Sequence, residues 1–351
     1  MSVFLSDYHE IGRILEENGA KKPFLCCGKS FQKTPHFQYL KQFDITVFDC
    51  IRPNPRFDDM VTATEVFCRE GCDFMIAAGG GSPMDSAKMI RLMATNGTEN
   101  ALTEPMDNND IPALFIPTTA GTGSEATKTS VFYLHETEKF SVHNLDFIPD
   151  YVLMDETLLQ TVPDYQRKAT CLDALCHSIE SYWSKTATVR SRAYAAESIR
   201  LFFAHKDSYM KNEPAGNRGM LWASYYGGKA INLTGTTAPH AMCYAITMNC
   251  ATAHGHSVAA VLAKMWDYML EGDCPQETLT ALSRLMGGET AADGAVIFAG
   301  LLKEFGLAFP RIKESELDAF AAQVNTAKLK TNPVPLDAQA VRELYKRVLC
   351  D

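Results

Sequence analysis

The chain has 351 residues, 46% hydrophobic and 21% charged, which is enough apolar material for two cored domains of an ordinary globular protein. A formal net charge of −9 disfavours nucleic acid and anionic membrane surfaces as partners, and the longest apolar runs, such as Phe74 to Ala78, are far too short to cross a bilayer. The 11 cysteines form no CxxC framework and the N-terminus carries no signal pattern, so the expectation is a cytoplasmic protein whose thiols are reduced and serve as small buried hydrophobes.

In chain order, IGRILEENG predicts a helix ended by Gly19, followed by a short buried strand at Phe24–Cys27 that closes on Gly28-Lys29-Ser30. A second apolar run, Ile45–Phe48, comes before a helix over 58–71. Phe74–Ala78 is a continuous apolar strand that runs into Gly79-Gly80-Gly81-Ser82, and helical periodicity follows over 83–95. Ala113–Ile116 is another strand, ending in a small-residue loop from Pro117 to Glu125. Strands alternating with helices predict a parallel sheet covered on both faces. Two runs, Ser130–Tyr133 and Lys139–Ser141, predict a hairpin, and Tyr151–Met154 a last sheet strand. Beyond Asp155 strand signals stop, and amphipathic helices are expected over 166–183, 189–204, 219–231, 257–271, 276–287, 291–305, 314–327 and 337–349. The expected division is an α/β domain over 1–155 and an all-helical domain over 156–351.

Two loops invite an anionic ligand. At Gly79-Gly80-Gly81-Ser82 a strand ends in three glycines, so a ligand can approach the backbone closely. Ser82 reads as an N-cap, Pro83 as the first helical residue and Asp85 as the capping-box partner, which would aim the helix N-terminus at the glycines. The competing reading is a tight strand-to-helix turn with no ligand. Thr118-Thr119-Ala-Gly-Thr122-Gly-Ser124-Glu125 follows the next strand in the same way, and two such loops on one sheet favour a dinucleotide cleft.

The metal candidates lie further on. Asp173 and His177 are one helical turn apart and share a face. His240 stands just after Pro239 and His254 just before Gly255, residues that read as helix breakers. One carboxylate and three imidazoles suit a borderline divalent ion, although a lone Asp–His pair on a helix is more often a hydrogen-bonded pair. His256 is a minor candidate for outer support or proton relay, otherwise a solvent-facing helix start. His9, His36, His135, His143 and His205 read as surface residues.

GGGSPMDSAK, IPTTAGTGSEAT, DALCHSIESYWS and the pair APH…HG resemble the iron-containing (group III) alcohol dehydrogenases, in that family's order from about residue 70 to 260. The resemblance implies a Rossmann-like dinucleotide domain and an all-α metal domain, with Asp173, His177, His240 and His254 holding Fe2+ or Zn2+ between them. It assigns NADH or NADPH to Gly79, Gly80, Gly81, Ser82, Asp85, Thr118, Thr119, Thr122, Ser124 and Lys139, with Gly28, Lys29 and Ser30 at the end of the first strand. It also implies a homodimer, and as partners a small aldehyde and its alcohol, with no nucleic acid and no membrane.

The chain departs from the family's common pattern in three places. Tyr244 stands where many members have a second histidine that relays protons, Gly28 stands where NAD-preferring members carry an aspartate, and Thr236 and Thr237 replace bulkier pocket residues. The last feature is similar to the branch that reduces phosphonoacetaldehyde or sulfoacetaldehyde, where hydroxyls and a cation suit a tetrahedral anion. Candidate cations are Lys128 and Arg192, the latter weighed against a plain surface charge. The expected reaction is reduction of such a short aldehyde to its primary alcohol, by way of Lys128, Thr236, Thr237 and Tyr244. The alternatives are a reductase of neutral short aldehydes and a dehydroquinate-synthase-like lyase that uses NAD transiently.

Overall fold

The computed structural model describes residues 2–98, 101–102, 109–134 and 138–350. It divides into two compact units, one comprising Met1–Thr119 and Gly123–Val162, the other Ala120–Thr122 and Pro163–Asp351.

The first unit is a parallel sheet with helices on it. Its elements are β1 (Val3–Leu5), α1 (Glu10–Glu17), β2 (Pro23–Cys27), α2 (Pro35–Leu40), β3 (Thr46–Phe48), α3 (Phe57–Arg69), β4 (Phe74–Gly79), α4 (Gly81–Asn96) and β5 (Ala113–Pro117). A hairpin of β6 (Thr129–Leu134) and β7 (Glu138–His143) and the strand β8 (Tyr151–Leu153) complete it. The six-stranded sheet runs β1-β8-β5-β4-β2-β3, every pairing parallel, while β6 and β7 pair antiparallel on their own. The run β2 is buried throughout because the sheet is covered on both faces, and its side chains alternate between two cores. Phe24 and Cys26 join Met75, Ala77 and Phe115 in the core that includes α3 and α4, whereas Leu25 and Cys27 join Ile76, Ala78 and Leu114 in the core that includes α1. The N-terminal strand was not expected, and β8 is an interior strand between β1 and β5. A three-residue edge strand leaves too short a pattern to stand out in sequence.

The second unit contains no strand among the described residues. Its helices are α5 (Asp164–Trp183), α6 (Val189–Met210), α7 (Pro214–Thr234), α8 (Ala238–Asn249), α9 (His254–Glu271), α10 (Gln276–Leu285), α11 (Ala291–Glu304), α12 (Leu317–Ala322) and α13 (Ala338–Leu349). A 3₁₀ turn covers Thr326–Thr331. The helix α5 is the hub, packed on α6, α7 and α9, and 15 of its 20 residues are buried. Such all-round burial explains its weak amphipathic pattern.

Several expectations change. Cys50 and Cys68 are exposed, and all 11 cysteines are free. His36 is buried, its Nε2 2.7 Å from Asp155 Oδ2. His135 lies outside the described residues. No described helix is long and apolar enough to cross a membrane.

Candidate active site

In the first unit, three loops gather along one edge of the sheet. Register places Cys27 beside Ala78 and Gly79 beside Pro117, so Gly28, Gly80 and Thr118 leave neighbouring strands together. The strand order reverses between β2 and β4, the crevice where dinucleotides bind in open parallel sheets. A Cβ on Gly79 would meet Pro83 Cγ at 2.6 Å, and one on Gly80 would meet Thr119 Oγ1 at 3.1 Å, so the turn is built for residues without side chains.

The helix start differs from expectation. α4 begins at Gly81 with Gly80 as N-cap and no side-chain cap, so Ser82 lies within the first turn. Asp85 does not close a capping box. Its carboxylate accepts from Ser124 Oγ at 2.6 Å and Val131 N at 3.1 Å, which ties the two ligand loops together. At the junction sits Lys88, a fully buried residue that the sequence reading missed. Its ammonium donates to Ser124 Oγ at 2.7 Å, to the Ser124 and Thr129 carbonyls at 2.8 Å and to Thr127 Oγ1 at 3.1 Å, with Asp85 Oδ1 at 3.4 Å. The lysine of GGGSPMDSAK, three after Asp85, was the available signal. Burial pulls this ammonium down while Asp85 and Glu125 oppose it, and burial pushes the Glu125 carboxyl up to about 7.

Of the other first-unit candidates, Gly28 is half-buried while Lys29 and Ser30 are exposed. Lys139 is half-buried on β7 opposite Tyr133, and Lys128 is half-buried just before β6. Thr118 and Thr119 are half-buried, whereas Ala120–Thr122 belong to the second unit.

In the second unit, three helices converge on one carboxylate oxygen. Asp173 Oδ1 lies 3.3 Å from His240 Nε2 and 3.8 Å from the Nε2 atoms of His177 and His254. Asp173 and His177 come from α5, His240 from the first turn of α8 and His254 from the first residue of α9. Pro239 and Gly255 therefore begin helices instead of stopping them. Proline suits a first turn because its missing N–H is one of the unpaired donors there. Gly255 lets α9 approach α5, since a Cβ would collide with the Ala169 carbonyl and reach 2.8 Å from Asp173 Cβ.

Asp173, His240 and His254 fit a divalent ion, with His177 Nε2 3.8 Å from the same Asp173 oxygen. Ligand atoms around a tetrahedral ion at about 2.1 Å stand about 3.4 Å apart, close to the spacings found. Asp173, His240 and His254 each offer an atom within 4.8 Å of the others. Asp173 Oδ1 and His240 Nε2 are buried without a hydrogen-bond partner, an arrangement that costs stability unless something else occupies the centre. Burial would raise the Asp173 carboxyl, but His177, His254 and His240 outweigh it and hold it well below the usual range. Burial would lower His240, but Glu180 and Asp173 raise it to about 9. Burial lowers His177. The site opens on one side: the His254 side chain is 38% exposed, against 3% to 7% for the other three.

Behind His240 stands Glu180, fully buried and unforeseen. Its Oε1 accepts from His240 Nδ1, and its Oε2 accepts from Thr237 N at 2.7 Å and Thr237 Oγ1 at 2.9 Å. The Thr237 hydroxyl also accepts from Trp183 Nε1 at 3.1 Å, so it is a strut behind the ligands and not pocket wall. The signal was present, because Asp173, His177 and Glu180 stand at i, i+4 and i+7 on one helix face. With a carboxylate accepting from Nδ1, Nε2 is the nitrogen of His240 turned toward Asp173, and it offers a lone pair once an arriving ion displaces the proton that Glu180 and Asp173 favour there.

Around the open side, the Tyr244 ring stacks on His254 with centroids 5.7 Å apart, and Cys243 Sγ lies 3.6 Å from His254 Nδ1. Thr236 is half-buried, and its carbonyl accepts from Thr331 Oγ1. His256 is not solvent-facing: it is 6% exposed, 3.1 Å from Tyr165 Oη and 2.9 Å from the Ala308 carbonyl. Arg192 is an exposed residue whose Nε donates to the Tyr182 carbonyl at 3.2 Å, with its guanidinium 5.5 Å from the Tyr182 ring centre.

Comparison with known proteins accounts for both halves. The family described as iron-containing alcohol dehydrogenase matches residues 5–156, and the C-terminal part of the Fe-containing alcohol dehydrogenase family matches residues 168–349. A 1,3-propanediol dehydrogenase of Klebsiella pneumoniae is 30% identical over 79% of this chain and 75% of its own. An NAD-dependent methanol dehydrogenase of Bacillus methanolicus is 26% identical over 97% of this chain and 95% of its own. The crystal structure of sulfoacetaldehyde reductase from Bifidobacterium kashiwanohense with NAD+ superposes with a TM-score of 0.91 at 24% identity, covering 98% of this chain and 96% of that one, which speaks for the shared fold. The chain belongs to the iron-containing alcohol dehydrogenase family and is an NAD-linked alcohol oxidoreductase.

Proposed function

We propose that this protein is a cytoplasmic, homodimeric aldehyde reductase that converts a short aldehyde with a sulfonate or phosphonate tail, such as sulfoacetaldehyde or phosphonoacetaldehyde, to its primary alcohol. The observation that carries the reading is the centre itself, where Asp173 Oδ1 and His240 Nε2 are buried without a hydrogen-bond partner and His177 and His254 lie beside them.

Asp173, His177, His240 and His254 would hold Fe2+, and Zn2+ suits the same donor set. When bound, the ion supplies Lewis acidity toward the aldehyde oxygen, and NADH or NADPH supplies the hydride. The remaining tasks belong to the chain. The uncapped start of α4 offers backbone N–H groups to the cofactor's phosphates, beside a turn without side chains. Lys88 and Asp85 hold the loop of Thr118, Thr119 and Ser124 against that helix, and Lys139 is the residue assigned to the nicotinamide ribose. The loop Gly28-Lys29-Ser30 after β2 has no carboxylate of its own, although Asp49 lies near Cys27, so NADH and NADPH both remain in the proposal. Glu180, accepting from Nδ1, orients His240 so that Nε2 is the nitrogen presented to the ion. Tyr244, stacked on His254, carries the phenol assigned to hand a proton to the product oxygen.

The test pairs metal analysis with turnover. Asp173→Asn and His254→Ala are expected to lose bound metal and cofactor oxidation together; retained turnover in either metal-poor variant refutes the assignment. Following reduced-cofactor absorbance with sulfoacetaldehyde, phosphonoacetaldehyde, glyceraldehyde and butyraldehyde tests the rest. Stoichiometric oxidation excludes a lyase that returns its NAD unchanged, and equal kcat/KM for butyraldehyde and the anionic aldehydes sinks the anionic substrate.

A further inference from the structure

The 3₁₀ turn Thr326–Thr331 brings a cation to the open side of the metal centre. The turn packs on α8 and is pinned at its end, where Thr331 Oγ1 donates to the Thr236 carbonyl at 3.1 Å and the Thr331 carbonyl accepts from Lys185 N at 2.9 Å. This places Lys328 Nζ 5.4 Å from the centre of the Tyr244 ring, the same ring that stacks on His254. Lys328 is half-buried, and burial pulls its ammonium down. Among the described residues no carboxylate pairs with it.

That arrangement differs from three other sheltered cations; Lys229 over Tyr194 and Lys264 over Phe309 also face a ring, but among the described residues neither ring stacks on a metal ligand. Lys88 is enclosed by four oxygen acceptors and has Asp85 at 3.4 Å. Arg167, also buried, donates to the Tyr209 carbonyl and to the side-chain oxygens of Asn212 and Asn217. Lys206 sits between Asp207 and Glu304. Each of these is satisfied by the protein. Lys328 has an aromatic face and no acceptor in that role, although removing an ammonium from water is expensive without a counter-charge. A ligand can supply it.

We infer that Lys328 is the residue that recognises the anionic end of the substrate, binding the sulfonate or phosphonate oxygens while the aldehyde lies at the metal. The inference rests on the reading above that the substrate is an anionic aldehyde, and it replaces Lys128 and Arg192 as the cation in that role. Tyr244 then has two neighbours of different kinds, the ligand His254 on the chemical side and the Lys328 ammonium on the recognition side. An aldehyde separated from its anionic group by one carbon has its two ends close together, which suits one aromatic ring's separation between metal ligand and cation.

The experiment measures kcat/KM for sulfoacetaldehyde, phosphonoacetaldehyde and butyraldehyde with the metal-loaded wild type, Lys328→Met and Lys328→Arg, and inhibition by ethanesulfonate, an inert copy of the tail. Loss of one charge-assisted contact should lower the anionic-to-neutral kcat/KM ratio by roughly 10- to 100-fold in Lys328→Met, mainly through KM, and weaken ethanesulfonate to match. Lys328→Arg should keep the preference within about tenfold, since the charge remains on a differently shaped donor. A wild type that prefers the anionic aldehydes with a Lys328→Met variant that keeps the ratio within about threefold overturns this inference alone. A wild type without the preference overturns the anionic-substrate reading, and the inference with it. A measurement on the wild type covers a Lys328→Met variant that does not fold: ethanesulfonate should slow acetylation of Lys328 by acetic anhydride, read by peptide mass, and unchanged labelling counts against the assignment.

Discussion

Replacing Glu180 by glutamine tests the claim that this residue sets the protonation of a metal ligand. The substitution keeps size and shape and changes one oxygen into an NH2 group. The buried carboxylate has three donors, two from Thr237 on Oε2 at 2.7 and 2.9 Å and one from His240 Nδ1 on Oε1. A glutamine has a single carbonyl oxygen. Turned toward Thr237 it keeps two hydrogen bonds, and turned toward His240 it keeps one and sets its NH2 against the Thr237 N–H. The first orientation wins, so the amide NH2 faces His240 Nδ1. That nitrogen must then accept, which moves the imidazole proton to Nε2, where it points at Asp173 Oδ1, 3.3 Å away, and occupies the lone pair the ion needs. Outer-shell changes of this kind reduce metal affinity about 10- to 100-fold. The assay is a Zn2+ or Fe2+ titration against a competing chelator, with circular dichroism to confirm the helices. An Kd for the ion within about threefold of wild type, in a folded Glu180→Gln protein, would refute the reasoning.

Three further outcomes follow from the buried groups. Glu125 has a folded pKa of about 7 against 4.5 ordinarily, so the folded state holds more protons than the unfolded one between those values and stability falls as pH rises from about 4.5 to 7. Glu125→Gln should therefore gain in relative Tm between pH 5 and pH 8, with a ceiling of about 3 kcal/mol, and a pH-independent Tm difference contradicts the assignment. Lys88→Met leaves Asp85, Ser124 and Thr127 without their buried donor and should destabilise by about 3–5 kcal/mol, with weaker NADH or NADPH binding in the fraction that folds; denaturant titration and cofactor fluorescence read both. Gly255→Ala drives a methyl into the Ala169 carbonyl and against Asp173 Cβ, so it should lower both Tm and metal content, and a variant with wild-type metal content shows that α9 has room to shift.

What the sequence made legible follows from how local each signal is. β4, running from Phe74 into three glycines, is contiguous and was readable, as was the i, i+4 pair of Asp173 and His177. Lys88 and Glu180 were not read, because each lies one or two turns beyond a residue already noticed and its role depends on partners far along the chain, Ser124 in one case and Thr237 in the other. The errors at Pro239 and Gly255 have a related cause. Both residues end helices when judged alone, but a proline in a first turn and a glycine at a helix crossing are favoured, and only the packing of α9 on α5 and of α8 on α9 tells the two uses apart. His36 and His256 were read as exposed for want of a visible partner, and their partners, Asp155 and Ala308, lie 119 and 52 residues away.

The chain's charge gives the same lesson at larger scale. With a net charge of −9, an anionic cofactor and an anionic substrate must both be drawn by local groups. For the cofactor that group is not the buried lysine of the glycine-loop motif, because Lys88 is filled by protein oxygens and its work is to hold two loops together. In the proposed reading the phosphates go to backbone N–H groups at the start of α4, which carry no net charge and need no carboxylate to balance them when the cofactor leaves. The tail of the proposed substrate, smaller and of higher charge density, calls for a formal cation. Keeping that cation unpaired, over the face of Tyr244, avoids a competing carboxylate that the tail would have to displace. Selectivity for the anionic aldehyde proposed above would then come from leaving Lys328 without a carboxylate partner, in the way Asp173 Oδ1 and His240 Nε2, buried without a hydrogen-bond partner, suit an ion.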